Sequence, residues 1–368
     1  MRAADGPYRL VILAAAAGLL LSAAIGKPDP SGPAPYPLAY PAYFGNRVNL
    51  REDNPLTVEG VELGRRLFFD PRLSANNTIS CGSCHQQKHG FADVRAFSLG
   101  YDGTPTRRNA MSLTNLLWVR HFFWDGRASS LEMQALTPMT DPHEMGQPLD
   151  SSVRKLCAVP GYPAAFAAAF GSDSITGDRI VKAIAQFERV LISDHSRYDR
   201  YIRGEYQLTG AEQRGLTLFF ANPARGVRGA GCGNCHSGPK VFTETYHNNG
   251  LDSIPGDAGR SGVTGMDYDR GRFRVVTLRN IAVTAPYMHD GRFRTLTEVL
   301  DHYSEHILPS ATLSPSLRDT LNRPVNLGLS AQEKNDLLTF LEMLTDSVFL
   351  TDPRFSDPFA VQTKPIKQ

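Results

Sequence analysis

Two pentapeptides, Cys81-Gly82-Ser83-Cys84-His85 and Cys232-Gly233-Asn234-Cys235-His236, constrain this 368-residue chain more than anything else in it. Both read C-x-x-C-H, the attachment pattern of c-type haem. The spacing follows from the chemistry: two thiols about one helical turn apart add to two vinyl groups of one porphyrin, and the next residue brings an imidazole under the iron. Chance placement of 5 Cys and 10 His gives roughly two such pentapeptides per thousand chains of this length, so a second copy is not chance. A zinc site would want further Cys or His pairs, and a thioredoxin-like pair needs no His. Neither fits twice, and two covalent haem c groups are expected.

The surroundings of the motifs repeat as well, the mark of a duplicated domain. Gly64, Leu67, Phe68 and Phe69 precede the first motif as Gly215, Leu218, Phe219 and Phe220 precede the second, with twelve residues from the last Phe to the first Cys each time. Beyond the motifs, Leu113, Asn115, Asp125-Gly126-Arg127 and Leu131 are matched by Leu278, Asn280, Asp290-Gly291-Arg292 and Leu296. The first set is offset by 151 residues and the second by 165, so about fourteen extra residues fall in the Gly-rich stretch 248–272, which reads as loop.

Apolar residues at helical spacing predict helices over 56–69, 130–136, 177–192 and 297–303, and Ser330-Ala331-Gln332-Glu333 is a capping box opening a last helix to about residue 345. Alternating strand patterns are scarce. The expected fold is mainly α, two tandem cytochrome c-like domains each built around one covalently bound haem: residues 27–195 and 196–355, followed by a tail, 356–368. Residues 1–26 carry Arg2 and Arg9, an apolar run and small residues, which is the layout of a signal peptide. The apolar stretch 10–25 falls short of the ~20 residues that span a bilayer, so cleavage and a periplasmic location are expected rather than an anchor. A formal charge of +2 gives no reason to expect a nucleic-acid partner.

The segments L-G-R-R-L-F-F-D, F-F-W-D-G-R-A-S-S-L-E-x-Q-A, D-P-H-E-M-G and T-L-R-N-I-A-V-T-A-P-Y-M-H-D-G-R resemble those of the bacterial di-haem cytochrome c peroxidases and the related MauG enzymes, over residues 54 to about 345. The resemblance implies that the N-terminal haem, on His85, reacts with hydrogen peroxide, and that the C-terminal haem, on His236, passes electrons to it. Glu144 then matches the distal acid that relays a proton between the two peroxide oxygens. Trp124 matches the indole between the haems; the bare sequence is equally compatible with a Trp that only packs. Asn109, Thr284 and Pro286 match the oxygen ligands of a calcium ion.

Two departures from ordinary peroxidases stand out. Where many carry a His that closes the peroxidatic iron, this chain has Tyr101: either that iron is open at rest or a phenolate takes the place of the His. Where they carry a Met ligand to the second haem, the alignment falls on Tyr303, as in MauG, with Met288, His289, His302 and His306 as rivals. The leading reading is an exported peroxidase drawing electrons from a small cytochrome c or cupredoxin. The close alternative is a MauG-like enzyme oxidising Trp or Tyr of a partner protein, and the third a non-enzymatic di-haem electron carrier. The resemblance also allows a homodimer. Elsewhere, Phe187-Glu188-Arg189 reads as structural, with Arg189 a candidate for a haem carboxylate, and the lone Cys157 reads as a buried small hydrophobe.

Overall fold

A computed structural model describes residues 32–223 and 226–360, so the leader 1–26 lies outside it. From residue 33 on, the described residues form one compact unit. It is built of helices joined by long loops; the only sheet among the described residues is a pair of two-residue strands, Tyr246–His247 against Phe273–Arg274.

The duplication read in the sequence is visible bond by bond. In the first half the helix Val58–Phe69 is capped by Thr57, whose Oγ1 accepts the Gly60 N–H at 3.0 Å, and it buries Leu63, Leu67 and Phe68. It crosses the helix Gly177–Arg189 so closely that a Cβ at Gly64 would lie 1.9 Å from the Ala183 carbonyl oxygen. In the second half the helix Gly210–Phe220 crosses Ala331–Met343, and a Cβ at Gly215 would lie 2.0 Å from the Asp336 carbonyl oxygen. Only glycine permits either crossing. The aromatic contacts repeat too, Phe68 on Phe187 at 5.3 Å and Phe219 on Phe340 at 4.9 Å. The expected helices appear as Val58–Phe69, Leu131–Thr140, Gly177–Arg189, Leu296–Glu305 and Ala331–Met343, the last opened by the Ser330/Glu333 capping box. The stretch 248–272 is loop except for single turns at Ser261–Thr264 and Asp267–Asp269.

Buried apolar side chains gather in two clusters. One is centred on Leu67, Phe68, Ile184 and Phe187, the other on Leu218, Phe219, Leu337 and Phe340. Phe349 and Phe355, last in sequence order, belong to the first cluster: Phe349 packs on Phe91 at 5.6 Å, and the Gln87 side-chain amide donates to the carbonyls of Phe349 and Asp352. Cys157 is exposed, contrary to expectation, because it ends the helix Leu149–Cys157, whose buried positions are Ser152 and Leu156.

Candidate active site

Each C-x-x-C-H motif lines its own cavity. Cys81, Cys84 and His85 border a cavity of about 830 Å³, and Cys232, Cys235 and His236 one of about 990 Å³. Both sit at the upper end of the range of ligand pockets, ~300–1,000 Å³. His85 Nδ1 lies 2.8 Å from the Phe91 carbonyl and His236 Nδ1 3.2 Å from that of Val241. A carbonyl only accepts, so Nδ1 carries the proton in both rings and Nε2 keeps its lone pair for a metal. Burial lowers both pKa values, that of His236 to about 4, which keeps the rings neutral as ligands must be.

Among the described residues the one cluster of three metal-ligating side chains is Asp194, His195 and Asp346, which includes no residue of either motif. Burial pushes the thiols up, Cys84 to about 11 and Cys232 to about 12, so they are neutral rather than thiolate. Two unpaired thiols and one neutral imidazole on an apolar cavity wall fit a covalently held haem. Cys81, Cys84 and His85 would hold one, and Cys232, Cys235 and His236 the other, supplying redox-active iron to each cavity.

The Glu144 turn forms part of the N-terminal wall. Burial first, then the neighbouring Asp141, raises the Glu144 pKa, and Arg127 partly opposes them. Its backbone is tied to the Tyr101 loop: the Tyr101 N–H donates to the Glu144 carbonyl at 2.7 Å. Gly100 lies so close that a Cβ there would meet the His143 carbonyl oxygen at 2.1 Å. Tyr101 is not part of the cavity wall. Its ring lies over Gly146, where a Cβ would be 2.2 Å from the Tyr101 ring and where φ is +62°. Leu99 and Gly100 reach the wall instead.

In the C-terminal cavity, Tyr303, Met288 and His289 all line the wall. One amide serves two of them: Asn249 Nδ2 donates to Tyr303 Oη at 3.2 Å and to Met288 Sδ at 3.4 Å. Burial pushes the Tyr303 phenol up to about 12, partly offset by that hydrogen bond. His289 is stacked on Phe273 at 3.8 Å. His302 and His306 are not on the wall; His302 Nε2 is 3.0 Å from the Asn249 carbonyl, and His306 is exposed.

Trp124 and Asn109 border both cavities, and the Trp124 indole N–H donates to the Asn109 carbonyl at 2.9 Å. Thr284 and Pro286 line the C-terminal cavity with them. Asn109 Nδ2 donates to the Arg95 and Ala96 carbonyls, which leaves Oδ1 as the free oxygen end of that amide.

Three wall residues escaped sequence reasoning. Gln134 stands one helical turn before Pro138 on the same face, and its buried Oε1 has no hydrogen-bond partner. Glu188 also lines the N-terminal cavity with Oε2 unpartnered, and burial lifts its pKa to about 8. Its neighbour Arg189 faces away from both cavities and pairs with Glu132 at 2.8 Å. The third is Arg274. Helical periodicity could have found Gln134, which lies within the L-E-x-Q-A segment; no local signal marks the other two.

The family described as di-haem cytochrome c peroxidase matches residues 58–207. The chain is 39% identical to methylamine utilization protein MauG of Methylorubrum extorquens, over 79% of each chain. It is 36% identical to cytochrome c551 peroxidase of Nitrosomonas europaea, over 79% of this chain and 81% of the relative. Its fold matches the crystal structure of a MauG-like protein associated with microbial copper homeostasis, with a TM-score of 0.80 and 39% identity over 88% of this chain and all of that one. With two haem-fitting cavities on a duplicated helical frame, the chain belongs to the di-haem cytochrome c peroxidase and MauG family of oxidoreductases.

Proposed function

We propose that the chain is a MauG-like di-haem enzyme that uses hydrogen peroxide to withdraw electrons from aromatic side chains of a partner protein. The observation that carries this reading is the Tyr303 phenol on the wall of the C-terminal cavity. A phenol held against a metal cation loses its proton readily, and the Asn249 amide is placed to stabilise the resulting oxygen anion. An anionic ligand lowers the haem's reduction potential, which suits storage of oxidising equivalents better than intake from a mild donor. The MauG and MauG-like relatives support the same reading.

The residues around the N-terminal cavity divide the remaining work. Glu144 takes the proton from one peroxide oxygen and returns it to the other, and a raised pKa suits a group that must both accept and donate near neutrality. The unpartnered Gln134 oxygen offers an acceptor to the incoming peroxide. Tyr101, held over Gly146 and off the cavity wall, would leave room for peroxide beside a bound haem. Trp124, bordering both cavities, carries electrons between them. Asn109 Oδ1 with the carbonyls of Thr284 and Pro286 is the oxygen set assigned to one calcium ion, on the family resemblance. The leader 1–26 delivers the chain to the periplasm.

The second reading, a peroxidase fed by a small cytochrome c or cupredoxin, is favoured by Met288, whose sulfur shares the cavity and the Asn249 hydrogen bond with Tyr303. Peroxide consumption with a reduced small cytochrome c as donor separates the two. Slow wild-type turnover, raised about tenfold or more in Tyr303→Met, is expected. Wild-type turnover at the ~1–10³ s⁻¹ usual for enzymes would establish the small-donor peroxidase instead.

A further inference from the structure

Arg274 is buried, 6% exposed, on the short strand Phe273–Arg274 between the two cavities. Its backbone N–H donates to the Trp124 carbonyl at 2.7 Å and its Nε to the Phe123 carbonyl at 3.2 Å. Its Nη2 has only the Met111 sulfur, at 3.9 Å. The other deeply buried arginines each have a carboxylate: Arg189 has Glu132, and Arg279 has Asp199. Arg274 has none within salt-bridge distance, although it is the one charged side chain among the described residues that lines both cavities.

A buried, unpaired guanidinium is expensive, and burial pushes this one down to about 10 against the opposing pull of Tyr246 and Glu244. Some anion belongs beside it. The groups that fill the two cavities bring carboxylates of their own, because each haem carries two propionates, and a planar guanidinium fork suits carboxylates in paired hydrogen bonds.

We propose that Arg274 is a shared carboxylate anchor, its guanidinium taking a propionate from each haem and holding one positive charge between the two irons. The inference rests on family membership and on the position of Arg274, and is independent of whether the electron source is a partner protein or a small donor. A cation near both irons favours the added electron at each. Arg274 is thus a positioning residue that sets both reduction potentials together and keeps both porphyrins in register with Trp124.

The test is a spectroelectrochemical titration of the holoenzyme beside Arg274→Met and Arg274→Lys. Both midpoint potentials should shift negative in Arg274→Met, with Arg274→Lys staying nearer to wild type because it keeps a point charge. A shift at one haem alone, no shift, or Lys moving as far as Met overturns the proposal, the last by reducing Arg274 to its backbone ties. Should Arg274→Met fail to take up both haems, redox-difference infrared spectra of Arg274→Lys decide. Loss of the fork should move carboxylate bands at both reduction steps, and unchanged bands at either step overturn the shared anchor.

Discussion

Trp124 donates its indole N–H to the Asn109 carbonyl at 2.9 Å, and these two residues stand on the walls of both haem cavities. One hydrogen bond therefore fixes the ring plane of the only Trp lying between the redox centres. Its second tie runs through the backbone, from the Arg274 N–H to the Trp124 carbonyl.

Trp124→Phe keeps an aromatic ring but removes the N–H and the more easily oxidised indole. Electron equilibration between the haems, followed by flash photolysis of the half-reduced protein, should slow clearly. The unpaired Asn109 carbonyl should cost about 1–3 kcal/mol of stability. Unchanged equilibration would reduce Trp124 to a packing role.

Glu144→Gln should lower the rate of peroxide reaction by about 10² to 10⁴. Because burial and Asp141 raise the Glu144 pKa, the acid limb of the wild-type rate profile should lie above the usual carboxylate range and vanish in the variant. A raised carboxyl pKa favours folding below the unfolded value and costs stability as pH rises. The variant should thus be no less stable than wild type at pH 7 while far slower. Wild-type rates with both haems bound would remove Glu144 from the mechanism.

The fully oxidised protein should react with peroxide without a preceding electron, because the Tyr101 ring is held over Gly146 rather than on the cavity wall. Stopped-flow spectra of the ferric protein mixed with peroxide decide this. A protein that stays silent until one electron is supplied has a closed iron.

Glu188 offers a cleaner pH probe, since its carboxyl is buried and raised to about 8. Its favourable contribution is complete below the unfolded pKa, ~4.3, and is lost as pH rises from there through about 8. Glu188→Gln should therefore gain stability relative to wild type across that window, measured by denaturant unfolding. Parallel wild-type and variant curves would mean that the carboxyl is ionised in the folded protein.

The haem motifs and the duplicated frame were legible in the sequence because each repeats at fixed spacing, and a repeat is read without knowing any tertiary contact. The crossings at Gly64 and Gly215 are the physical reason those glycines recur. Tyr101 was legible as a departure but not as a side chain turned onto Gly146, since that depends on a loop docking against the Glu144 turn. Arg274 was invisible because nothing in R-F-R-V distinguishes a guanidinium that pairs with a neighbouring acid from one that finds none. Cys157 misled for a related reason: residue type set the expectation, whereas the face of its helix set the exposure.

The first apolar cluster draws Phe44 from near the beginning of the described chain and Phe355 from near its end. During synthesis that core stays open until almost the last residue has emerged. The packing behind His85, whose Nδ1 meets the Phe91 carbonyl, is therefore completed only when the Phe349 segment arrives against Phe91. A fragment ending at residue 195 would lack that closing piece, so the two repeats, although copies of one another, mature as a single object.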